Sequence, residues 1–216
     1  MKRLVSVRSV LCFSLCLAAA LPASAHRVDE YLQATRISVD RDRVNLELSL
    51  TPGVSLAPLV FFWIDTDHDG HISRKEGEAY AQQVLGSLDL NVDDRPVSVT
   101  LSEQQFPEFR EMNLGVGVVR LRASAKLKGI ADGNHRVLYR NTHKPEWSVY
   151  LANALVPEDD HIEITEQRRD NTQRELTIDY RILPGAQRAS PSWFLAVFAI
   201  TCVLGNLAAR VCSRGL

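Results

Sequence analysis

The sequence predicts a mainly β protein: an antiparallel β-sandwich with an inserted helix–loop–helix and a C-terminal transmembrane helix. Three observations carry this expectation. Several short segments alternate apolar and polar residues and are separated by turn signals. An apolar run and an amphipathic segment flank an aspartate-rich stretch at residues 65–76, DTDHDGHISRKE. Residues 193–209, WFLAVFAITCVLGNLAA, run 17 residues without a charge, just reaching the lower limit for a membrane helix.

Residues 1–25 read as a secretory signal peptide. Lys2, Arg3 and Arg8 make a basic start, residues 10–21 are mostly apolar, and Ala23-Ser24-Ala25 offers a small-residue cleavage site. The apolar run is too short for a transmembrane anchor. Cys12 and Cys16 lack the preceding small residue of a lipobox, which argues against a lipoprotein. Cleavage would start the mature chain at His26.

An extracytoplasmic domain is expected over residues 26–182. Residues 31–39 (YLQATRISV) and 44–50 (VNLELSL) alternate as strands around the polar turn of residues 40–43, and together predict a hairpin. Thr51-Pro52-Gly53 breaks the pattern. An insertion over residues 56–88 follows. Residues 56–64 (LAPLVFFWI) are a continuous apolar run, read as a helix because of their place before the acidic loop. Residues 76–88 set Tyr80, Val84 and Leu88 on one face of an amphipathic helix. Strand patterns return at 88–92 and 97–101 around the turn Asp93-Asp94-Arg95-Pro96. Over residues 116–127, Val119, Leu121, Ala123 and Ala125 oppose Arg120, Arg122, Ser124 and Lys126. Further strands are expected at 135–140, 147–155, 162–166 and 175–182.

A linker at 183–192 leads to the apolar segment 193–209, and Arg210 and Arg214 open a short tail at 210–216. Those arginines favour a cytoplasmic tail, with the domain outside the inner membrane. The alternatives are a buried core helix, a bacterial sorting tail (whose signature dipeptides are missing) and the first of several spans in a longer relative.

Charge and cysteines narrow the function classes. All 26 acidic residues lie between His26 and Ser190, against 20 of the 25 Lys and Arg, which leaves the domain at about −6. The other five, Lys2, Arg3, Arg8, Arg210 and Arg214, lie outside it. That balance argues against nucleic acid, which calls for clustered positive charge. The four cysteines, Cys12, Cys16, Cys202 and Cys212, also lie outside the domain. An exported domain without disulfides must rely on core packing, to which a bound metal would add.

The chemistry is concentrated in residues 65–76. Counted from Asp65, positions 1, 3, 5, 7, 9 and 12 hold Asp65, Asp67, Asp69, His71, Ser73 and Glu76. Calcium takes six to eight oxygen ligands and is bound by twelve-residue loops from these positions. Gly70 stands at position 6, where the chain must turn sharply, and Ile72 at position 8. The stretch resembles the EF-hand family, over residues 56–88 only. The resemblance implies Ca2+ held by the carboxylates of Asp65, Asp67 and Asp69, the main-chain carbonyl of His71, Ser73 directly or through water, and both oxygens of Glu76. Ile72 would pin the loop to a neighbouring strand. The alternative is an Asp-rich turn without an ion. No second loop is present to pair with this one, so an affinity of about 10⁻⁴–10⁻³ M is expected.

Two weaker features remain. A free amine on His26 beside its imidazole would suit copper, as in periplasmic copper-binding β-sandwich proteins, with His135, His143 or His161 as partner. The plainer reading is a residue that merely follows a cleavage site. In residues 139–157, Asn141, His143, Trp147 and Tyr150 suggest a binding edge or, more simply, a packed strand beside a wet loop. No nucleophile elbow, phosphate loop or paired-carboxylate motif occurs, so no enzyme is expected. The layout as a whole resembles exported bacterial proteins, some similar at their N-termini to ectodomains of nickel-type transporters and accessory proteins. The partners implied are calcium, a membrane and an unidentified membrane or periplasmic protein.

Overall fold

The computed structural model describes residues 29–185. The expected signal peptide at residues 1–25, His26 and the expected span at residues 193–209 lie outside the described residues. Tyr31–Val39 (β1) and Arg43–Pro52 (β2) form the expected hairpin, paired antiparallel from Tyr31↔Pro52 to Val39↔Val44. Every second side chain of β1, from Tyr31 to Val39, is buried, because alternate residues of a strand face one side of the sheet.

Two helices follow, Ala57–Ile64 (α1) and Arg74–Leu85 (α2). Then come Leu88–Val92 (β3), Arg95–Pro96 (β4), Thr100–Gln105 (β5), a short helix Phe109–Asn113 (α3), Val119–Lys126 (β6), Gly133–Asn141 (β7), Ser148–Ala154 (β8), Ile162–Arg169 (β9) and Glu175–Ile182 (β10). One five-stranded sheet has the order β5-β6-β2-β1-β8, the other β4-β3-β7-β10-β9. The protein is therefore mainly β, with two largely antiparallel sheets. A single apolar core holds Ile37, Leu46, Leu48 and Leu121 of the first together with Val137, Tyr139, Leu176 and Ile178 of the second.

Several boundaries differ from the sequence expectation. β8 runs parallel to β1 along Tyr31↔Ser148 to Ile37↔Ala154, so the pairing is not antiparallel throughout. Such register between distant strands has no local signal. The strand expected at residues 97–101 is displaced. Asp93 and Asp94, at φ 49° and 62°, make a two-residue hairpin turn of the type that matches strand twist, and β4 ends after Pro96. Residues 97–99 then cross between the sheets, and β5 begins at Thr100. Ser73 starts α2 two residues earlier than expected, and Leu88 leaves the helix to pair with Asn141 in β3. The helix α3 was not expected at all.

The strand ladders set two ends of the molecule apart. Tyr31, Pro52, Asn141 and Leu88 lie with α1 and α2 at one end, where the Thr142 amide donates to the Ser87 carbonyl. The β1–β2 turn, the end of β6, the start of β7 and the end of β10 lie at the other. Strands of nine residues put about 30 Å between these ends.

Candidate metal centre

The loop between α1 and α2 is closed by helix-end chemistry. Pro58 occupies the first turn of α1, where a missing N–H costs nothing. Ser73 caps α2 and forms a capping box with Glu76: its hydroxyl accepts from the Glu76 amide, and the Glu76 carboxylate accepts from the Ser73 amide at 2.9 Å. These bonds occupy helix-start donors that have no intrahelical partner.

Glu76 is also the hub of the loop. Its Oε1 accepts from the Thr66 amide (2.5 Å), the Thr66 hydroxyl (2.9 Å) and the Asp67 amide (3.2 Å). Its Oε2 accepts from the Ser73 hydroxyl at 2.8 Å besides the amide. The Ser73 amide, then its hydroxyl and the Thr66 donors, hold this carboxyl down at about 2. Position 12 is thereby bound back to position 2, and the two ends of the loop meet.

Asp65 is 4 % exposed. Its Oδ2 accepts from the Gly70 amide at 3.0 Å, while its Oδ1 is buried with no hydrogen-bond partner. Carboxylate oxygens of Asp65, Asp67 and Glu76 lie within 4.8 Å of one another, the one cluster of metal-ligating side chains among the described residues. A buried carboxylate with one unpartnered oxygen, clustered with two more carboxylates, is costly by itself and suits a hard cation. The residues present therefore fit a metal ion.

The other candidates are placed nearby but bonded differently. Asp69 lies outside the three-carboxylate cluster; its Oδ1 accepts from the His71 amide at 2.8 Å, and its own amide donates to Asp67 Oδ1 at 3.2 Å. The His71 imidazole points outward, with Nδ1 3.9 Å from the Glu108 carboxylate. Gly70 has φ +87° with open space where a Cβ would stand, so the need for glycine is conformational rather than steric. Ile72 is half-buried against the core and belongs to no strand.

One functional feature escaped the sequence. Tyr80, one helical turn beyond Glu76, ties α2 to β1 and to the loop between β7 and β8. Its hydroxyl is 2.9 Å from the Tyr31 hydroxyl and 3.2 Å from His143 Nε2. Gln33 Nε2 donates to the His143 carbonyl and to the Ser148 hydroxyl (2.8 and 2.6 Å), and Asn141 Nδ2 donates to Gln33 Oε1 at 3.0 Å. The Tyr150 hydroxyl donates to the same His143 carbonyl at 2.8 Å. Asn141, His143 and Tyr150 are thus buried in a polar network, and only Trp147 is largely exposed. The polar residues at alternate core positions of β1, Gln33 and Thr35, were the available signal.

The histidines considered as partners of His26 are engaged elsewhere. His135 Nδ1 lies 2.8 Å from Asp93 Oδ2 and its Nε2 2.9 Å from the Ala131 carbonyl. His161 Nδ1 lies 3.0 Å from Asp159 Oδ1. Among the described residues no helix is long and apolar enough to cross a membrane. No protein-family model matches the chain, and no curated protein matches it in sequence.

Proposed function

We propose that the chain is an exported, membrane-anchored calcium-binding protein. Its β-sandwich carries one EF-hand-like loop, and the ion is structural or modulates a contact with another protein. The observation that carries this reading is the buried carboxylate of Asp65, clustered with those of Asp67 and Glu76 and left with Oδ1 unpartnered. Asp65, Asp67 and Glu76 would hold the ion, with Asp69, the His71 carbonyl and Ser73 completing the set. An all-oxygen donor set favours calcium over copper or zinc, which draw on nitrogen and sulfur. The bound ion would neutralise three crowded carboxylates and staple α1 to α2.

A structural role is favoured over a sensory one. The Tyr80 hydroxyl braces α2 against Tyr31 and His143, which opposes the opening of a helix pair that sensors use. Export and anchoring rest on the sequence of residues 1–25 and 193–209. No catalytic residue is assigned.

Calorimetry on the full chain in detergent micelles tests the ligand. One calcium per chain is expected, with a dissociation constant of about 10⁻⁴–10⁻³ M, and no binding by Asp65→Ala or Glu76→Ala. Absence of heat up to several times that concentration removes calcium as the ligand. A rise in melting temperature on calcium addition supports the structural role, and an unchanged melt with intact binding counts against it.

A further inference from the structure

The strand β8 closes one side of its sheet, and its outer edge is open over a short run only. Two bonds fix which of its main-chain groups face β1: the Tyr31 amide donates to the Trp147 carbonyl, and the Leu155 amide to the Ile37 carbonyl. Main-chain groups alternate in direction along a strand, so those of Ser148, Tyr150, Ala152 and Ala154 point away from the sheet. The far half of this edge is covered. Arg169 of β9 donates through Nε to the Ala152 carbonyl at 2.8 Å, and the Ala154 amide donates to Gln167 Oε1 at 3.2 Å. The main-chain amides and carbonyls of Ser148 and Tyr150 have no partner among the described residues.

The side chains beside that open run are apolar. Val149 and Leu151 are exposed, next to Leu32 and Ala34 of β1, their partners in the parallel register. Trp147, just before the strand, is exposed too. An open edge flanked by an apolar face is a template for a further strand. The run is also complementary to itself. An antiparallel copy centred on Val149 pairs Ser148 with Tyr150 of the second copy, and Tyr150 with its Ser148. All the open amides and carbonyls are then satisfied, and the pairing stops short of the covered half. Val149 meets Val149, and Leu151 meets Trp147, apolar cross-strand pairs of the kind that stabilise a ladder.

Charge favours the same register. It sets Glu146 of one copy beside Ala152 of the other, where the Arg169 guanidinium stands. Arg169 bonds only neutral oxygens, those of Ala152, Asn153 and Gln167, and the exposed Glu146 has no ion pair among the described residues. The next acid along, Asp170, accepts from the Thr172 and Glu175 amides instead. Two-fold symmetry makes this meeting of opposite charges twice. We propose that the protein forms a two-fold dimer by antiparallel pairing of β8 with β8 of a second copy, which joins the two β5-β6-β2-β1-β8 sheets into one. So short a contact is small against the roughly 800 Å² per partner of a standard interface, so the dimer is weak and depends on concentration. It requires neither the calcium site nor the apolar segment at 193–209.

Cysteine cross-linking of the full chain in detergent micelles tests this, with Cys12, Cys16, Cys202 and Cys212 replaced by serine. At the centre of the pairing the two Val149 Cα atoms would lie about 4.5 Å apart, within disulfide reach. Val149→Cys should therefore form a disulfide-linked dimer under mild oxidant. Leu151→Cys alone should not, because its two copies would be about 14 Å apart, but it should cross-link to Trp147→Cys when the two variants are mixed. Glu146→Arg should slow the Val149→Cys reaction about tenfold, roughly threefold for each of two exposed ion pairs, and Arg169→Glu in the same chain should restore it. A rate indifferent to Glu146→Arg overturns the register. Lys75→Cys on α2 is the control. If it, or Leu151→Cys alone, reacts as fast as Val149→Cys, the copies associate elsewhere and the proposal falls. A Val149→Cys chain that stays monomeric up to millimolar concentration assigns the edge to a different protein or to none, and overturns it equally.

Discussion

At the scale of single residues, the centre turns on one oxygen. Asp65 Oδ1 is buried without a donor and shares its surroundings with two more carboxylates. Without an ion this arrangement opposes folding; under the calcium-binding proposal it would become a ligand set. Asp65→Asn should therefore change sign with conditions. In chelator it should raise stability by about 1 kcal/mol, because it removes a buried carboxylate whose Oδ1 has no donor and which is crowded by two others. In millimolar calcium it should lower the melting temperature relative to wild type. Thermal melts of both proteins under both conditions check this, and a variant that is destabilised in both shows that Asp65 serves packing alone. The loop spacing was legible because ligands, turn glycine and helix cap all fall within twelve residues. The burial of Asp65 was not, since burial is a property of the folded chain that no spacing of residues encodes.

At the scale of elements, α2 is placed by a close approach. A Cβ on Gly77 would lie 2.7 Å from the Phe106 ring, so the helix backbone packs directly on the residue that follows β5. Gly77→Ala should gain about 1 kcal/mol of helix propensity and lose more to overpacking. A net loss of about 1 kcal/mol in urea denaturation is expected. In a Phe106→Leu background, where the ring is gone, the same change should be neutral or stabilising; equal losses in both backgrounds count against the contact. The sequence did hold the true start of this helix. Ser73-Arg74-Lys75-Glu76 is a capping-box pattern, but an amphipathic count begun at Glu76 passed over it. No comparable signal marked α3, only five residues long, or the crossing at residues 97–99.

At the scale of the whole molecule, the two sheets and the helical insertion are tied together at His143. Its imidazole meets Tyr80, and its carbonyl receives Gln33 and Tyr150. Burial, and then the neighbouring Lys144, push the imidazole down from 6.5 to about 4, with Glu146 opposing. The folded state thus resists protonation that the unfolded chain accepts. Stability from this residue is complete above about pH 6.5 and declines as pH falls toward 4. Below that it levels off, after a loss on the order of 3 kcal/mol. Urea titrations between pH 7 and 4 should show this slope in wild type and a shallower one in His143→Gln. Equal slopes exclude His143 as its source.

What the sequence determined by itself is what short-range chemistry dictates. Strand alternation fixed the β1–β2 hairpin and the inward face of β6, and the oxygen-bearing side chains of residues 65–76 marked the loop. Only the tertiary structure decided the parallel placement of β8 beside β1 and the closing of polar residues from Gln33, Tyr80 and His143 into one network. The physical reason is range. A side chain's periodicity and its turn partners lie within a few residues, whereas Gln33 and His143 are 110 residues apart and meet only after both sheets have formed.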